Sequence, residues 1–169
     1  MNPLFGGTVV KVRVTALCLC FVVCGISNVA RADRADDIWN GICDVIDAQA
    51  AADEKIALLE VMAPQAVMRA YYVKQLIGAY AGSTRADSIH LMARLLFVHE
   101  NGPKVNQLVD EAAFHLFFGE LDDAEAKLGE AQQLQSDVQE QMDEAFDYMG
   151  SIYDETGRYF ADYYIYNMI

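Results

Sequence analysis

The chain has 169 residues, 12 Lys and Arg against 25 Asp and Glu, and a formal net charge of −13. So acidic a chain repels phosphate backbones and anionic head groups, which argues against nucleic-acid and membrane-surface partners. Its length suits one domain with a proper core.

The first 32 residues read as an export signal. Lys11 and Arg13 supply a short positive region, residues 14–26 an apolar run, and Ala30-Arg31-Ala32 the small residues that signal peptidase needs. The expected cut falls between Ala32 and Asp33. An apolar run of about thirteen residues is shorter than the roughly 20 needed to span a bilayer, so cleavage is preferred over a retained anchor. Val23 before Cys24 and Leu17 before Cys18 lack the small residue that lipidation requires.

Cleavage changes the rest of the reading. The remainder holds nine basic and 25 acidic residues, net −16. Cys18, Cys20 and Cys24 leave, so Cys43 stands alone, with no internal disulfide and no thiolate metal cluster. Trp39, Ile42, Cys43 and Ile46 share a helical stripe, which places Cys43 as a small buried group.

From there the periodicity is helical and predicts an all-α fold of about eight short antiparallel helices. Ile38, Ile42, Val45 and Ala48 mark the first, and Ile56, Leu59 and Met62 a second that stops before Pro64. Pro64 opens a third through Met68, Tyr72, Leu76 and Tyr80. After Gly82 and Ser83, Thr84 caps a helix carrying Ile89, Met92, Leu95 and Leu96, which ends at residues 99–102. Pro103 begins a stripe of Val105, Leu108, Val109, Ala112 and Leu116 that stops at Gly119. Glu120, Asp122 and Asp123 place negative charge at the start of the next helix, with Ala124, Leu128 and Ala131 on its inner side. Ser136 caps a further helix with Val138, Met142, Ala145, Phe146, Met149 and Tyr153; Gly157 ends it, and Tyr159, Tyr163 and Tyr166 line the last.

Residues 108–159 resemble the tetratricopeptide repeat, a stacked pair of antiparallel helices. Phe146, Met149, Gly150 and Tyr153 follow its first-helix spacing, with Gly157 and Tyr159 at the turn. One unit earlier, Gly119, Ala124, Leu128 and Ala131 match the turn and second helix. Small residues at Ala124, Ala131 and Gly150 would let helices approach closely. Glu111 and His115 depart from the pattern, where a leucine and a tyrosine are expected. The resemblance implies a binding scaffold whose concave face grips a partner. It also leaves Tyr159, Tyr163 and Tyr166 without a polar capping helix, as a candidate homodimer or partner interface.

No nucleophile elbow, zinc-protease motif, phosphate loop or haem site occurs, so no catalytic residue and no cofactor is assigned. Glu111 and His115, four apart on one helix, are the weak metal candidates. Glu140, Asp143, Glu144 and Asp147 read as one acidic helix face, solvated or set against a basic partner. The leading expectation is a soluble, exported helical adaptor in the cell envelope or secreted. Alternatives are an inhibitor or immunity-type protein masking a basic enzyme, and a small secreted hydrolase.

Overall fold

The computed structural model describes residues 29–77 and 82–168, with side chains described over residues 31–75 and 84–158. They form three long helices: α1 (Val29–Ile77), α2 (Gly82–Phe118) and α3 (Leu121–Met168). The apolar run of residues 14–26 lies outside the described residues. The expected cut after Ala32 falls inside the first turns of α1, where the Arg31 guanidinium donates to the Gly119 carbonyl at 2.8 Å.

A single repeat generates the architecture. The buried positions of α1 are Ala35, Ile38, Ile42, Val45, Gln49, Ala52, Leu59, Ala63, Ala66, Ala70 and Val73, and half-buried Ile56 completes the series. Those steps alternate three and four throughout. The same alternation runs along α2 from Thr84 through Leu91, Val98 and Val105 to Leu116, and along α3 from Leu121 through Ala131 and Met142 to Thr156. A strict seven-residue repeat keeps one seam facing its neighbours and winds the helices into a left-handed coil. Arg34 meets Asp122 near one end and Arg69 meets Thr156 near the other, so α1 and α3 run parallel. Asp87 accepts from Ser151 while Arg94 pairs with Glu144, so α2 runs against α3. The described residues form a three-helix bundle packed along a heptad seam.

This corrects the expectation of about eight short helices. α1 runs through Pro64 and α2 through Pro103. Each proline leaves one carbonyl, that of Glu60 or His99, without its helical donor, a loss of about 3 kcal/mol in a helix interior. Both rings face solvent, and the buried seam continues on the opposite side, so packing outweighs the missing bond. Ser136 and Gly157 likewise lie inside α3, and Thr84 lies inside α2 with its hydroxyl bonded to Glu155. A tetratricopeptide turn at Gly157 is therefore not made.

The inner face differs too. Met68, Tyr72, Ile89, Met92 and Leu96, expected on core stripes, are all exposed. Their neighbours Ala66, Ala70, Leu91 and Val98 are the buried ones. Cys43 is half-buried and not in the core. By contrast, Ile38, Ile42, Val45, Leu59, Val105, Val109, Leu116, Val138 and Met142 lie inside as their spacing indicates.

One polar side chain interrupts the middle of the seam. Gln49 is 1 % exposed and donates to Asp53 at 2.9 Å, while its Oε1 has no hydrogen-bond partner among the described residues. Gly102 of α2 lies beside it, where a Cβ would make ordinary contact with Gln49 Nε2 at 3.5 Å. A lone amide at a seam position opposes sliding of the helices along each other.

Candidate interaction surfaces

The hairpin between α2 and α3 is the best-defined local structure. Gly119 takes φ 75°, its N–H donates to the Leu116 carbonyl, and the Glu120 N–H donates to the His115 carbonyl. Paired bonds of this kind around a left-handed glycine close a helix C-terminus. His115 Nδ1 lies 2.6 Å from Glu120 Oε2, and ligand atoms of His115, Glu120 and Asp123 lie within 4.8 Å of one another. Glu111 takes no part: it accepts from Gln107 at 2.9 Å and pairs with Lys127 at 3.3 Å. The structure thus joins His115 to the start of α3, while Glu111 is held by Gln107 and Lys127. A cation at the trio would face the positive end of α3, which favours the carboxylates without one.

Hydrogen bonds from Gln107 first, and then from Lys127, hold the Glu111 carboxyl below its ordinary value of 4.5. Lys127 is raised in turn, chiefly by Glu130 and then by Glu111. Because the folded Glu111 binds its proton less readily than the unfolded chain does, its contribution is complete above the ordinary value. That contribution disappears as pH falls through the lowered folded value. Glu111→Gln should therefore flatten the decline of the urea midpoint between about pH 5 and pH 3. An unchanged decline would assign it to other carboxylates.

The remaining expected packing residues divide. Ala124 and Ala131 are fully buried, Leu128 and Met149 are buried, and Phe146 and Tyr153 pack half-buried on the core. Close approach is seen at Gly41, where a Cβ would meet Leu128 Cδ2 at 2.7 Å. Gly150 is exposed, and neither it nor Gly157 has a neighbour that a Cβ would touch. Tyr159, Tyr163 and Tyr166 belong to α3, but their side chains lie outside the described residues.

Charge and apolar area are unevenly spread. Residues 55–105 hold six basic residues against three acidic ones, net +3, whereas the chain from Asp33 carries −16 overall. Asp122, Asp123, Glu125, Glu130, Glu140, Asp143 and Asp147 are all exposed on α3. The expected group of Glu140, Asp143, Glu144 and Asp147 is held together on that helix, with half-buried Glu144 paired to Arg94. Across the molecule, α1 exposes Leu58, Val61, Met68, Tyr71 and Tyr72, and α2 exposes Ile89, Met92 and Leu96.

Six of them, Val61, Met68, Tyr71, Ile89, Met92 and Leu96, lie on the side shared by α1 and α2, whereas Leu58 and Tyr72 occupy the heptad position beside that of Arg69, which α1 turns toward α3. The face formed by the six takes outward heptad positions on α1 and, on α2, the flank turned toward α1. The His99–Glu60 contact at 2.9 Å puts α2 residues 89–96 alongside the α1 segment 58–72. Sequence reading missed this face because it assigned Met68, Ile89, Met92 and Leu96 to the core. The available signal was an alanine at each neighbouring seam position: Ala63, Ala66 and Ala70 form an inner stripe that leaves the larger side chains outside. A separate aromatic group, Phe114, Phe117 and Phe118, sits at the α2–α3 turn, with the Phe114 and Phe118 rings 4.7 Å apart.

Among the described residues, no helix is long and apolar enough to cross a membrane. Comparison with protein-family models, with curated proteins and with solved structures gives no match.

Proposed function

We propose that this chain is an exported protein–protein interaction module of the cell envelope, released as a soluble bundle by cleavage between Ala32 and Asp33. The observation that carries this reading is the two-helix apolar face. Six large side chains, Val61, Met68, Tyr71, Ile89, Met92 and Leu96, each between 43 % and 61 % exposed, lie on one side of a molecule otherwise dense in carboxylates. Apolar patches of several hundred Å² rimmed by polar groups mark surfaces that meet other proteins. The face consists of side chains on rigid helices, an arrangement suited to docking.

A photo-crosslinking amino acid in place of Met92, in the full-length chain in its own cells, should give a discrete adduct. The same group in place of Asp143 on α3 serves as the comparison. Absence of any adduct from the apolar face would remove the reading.

The acidic α3 favours one second reading, an inhibitor or immunity-type protein that masks a basic enzyme. That reading predicts tight, strongly salt-dependent association through Asp143 and Asp147. Adducts from position 143 alone would select it.

A further inference from the structure

We infer that the occupant of the α1–α2 face is a second copy of this chain, related by a two-fold axis. The inference rests on the reading of that face as an interaction surface, and two observations choose this occupant.

The first is charge. Any surface of a chain carrying −16 from Asp33 onward repels an identical surface, except where its own acids are outnumbered. Residues 55–105 are that exception and contain the exposed apolar residues of the face: Arg69, Arg94 and Asp87 are engaged with α3, which leaves Lys55, Lys74, Arg85 and Lys104 against Glu60 and Glu100. The acids are concentrated on α3 and the first half of α1. A two-fold arrangement brings the same patch together with itself, so it turns the least acidic surface inward and leaves the carboxylates apart in water.

The second is area. At about half exposure each of these side chains leaves on the order of 100 Å² in water, so the six supply about 600 Å² of apolar area, which with a polar rim matches the ~800 Å² per partner of a standard-size interface. The segment from Val61 to Tyr71 extends for about 15 Å along α1 at 1.5 Å per residue, and α2 supplies a second helix of width. With that rim the face is long and wide enough to close a dimer. Tyr71 and Tyr72, with rings 6.2 Å apart, provide aromatic area whose hydroxyls can stay wet at the rim.

The test is the mass of the protein purified after export, measured by sedimentation equilibrium across a range of concentration. Twice the chain mass is expected for the wild type. Met68→Glu combined with Met92→Glu should halve that mass and leave the helical circular dichroism unchanged, since both residues face solvent within the single bundle. Asp143→Asn with Asp147→Asn, on α3, should stay dimeric. A wild type that sediments as one chain at every concentration overturns the inference, and so does a folded double glutamate variant that keeps the dimer mass. If the protein is a single chain and position 92 still crosslinks to a different protein, the second copy is excluded and the interaction face stands. If it is a single chain and position 92 gives no adduct, both readings fall.

Discussion

Leu91→Ala is expected to lower the stability of the bundle by about 3–4 kcal/mol, read as a shift of the urea midpoint at unchanged slope. Leu91 is fully buried in the middle of the seam of α2. The pairs Asp87–Ser151 and Arg94–Glu144 bracket it, which places it level with Ala145 and Met149 of α3. On the other side it faces the stretch of α1 that contains Ala63, Ala66 and Ala70. Its neighbours are therefore largely methyl groups on rigid helices, with Met149 the one long side chain named beside it. A cavity that such surroundings fill only in part lies in the middle of the range for leucine truncation. Ile89→Ala, two residues away but 60 % exposed, should change stability by less than about 0.5 kcal/mol. Equal effects at the two positions would refute the assignment of inner and outer faces.

That contrast explains what was legible in the sequence. Helical periodicity was plain, because Val105, Val109, Ala112 and Leu116 are spaced as one stripe whatever their partners. The α2–α3 turn was legible as well: Gly119 is followed by Glu120, Asp122 and Asp123, and glycine takes its left-handed conformation without strain. The number of helices was not. Local signals at Pro64, Ser136 and Gly157 favour ends, whereas the seam that overrides them is set by contacts between distant segments. Between residues 56 and 98 the difficulty was different. Two stripes run along the same helices, one of alanines and one of large apolar residues, and size alone favours the wrong one. An alanine seam is buried because helices at close range bring many atoms into contact over small side chains. Choosing between the stripes requires the neighbouring helix. The apolar face was hidden for the same reason, since Met68, Ile89, Met92 and Leu96 had already been placed in the core. The export segment and the terminal tyrosines remain readings of the sequence.

Replacing Gly129, Gly150 and Gly157 together with alanine is expected to raise stability by about 2–3 kcal/mol, measured by urea or thermal unfolding. All three lie inside α3, and a Cβ at any of them meets nothing within 4 Å. Each glycine in a helix interior costs about 1 kcal/mol relative to alanine, mainly through the backbone freedom it has when unfolded. The three are at least seven residues apart, so their contributions should add. The sign separates a continuous helix from a chain of hairpins. If the chain turned at Gly157, as a repeat would require, alanine there would be strained and stability would fall. Gly119→Ala is the opposite control, because φ 75° costs an L-residue about 1 kcal/mol or more. A gain at position 157 together with a loss at 119 would locate the chain reversal at the hairpin and carry α3 unbroken past Gly157. Unbroken helices are also what the apolar face requires, since residues 61–71 and 89–96 share a surface only because α1 and α2 run straight through Pro64 and Pro103.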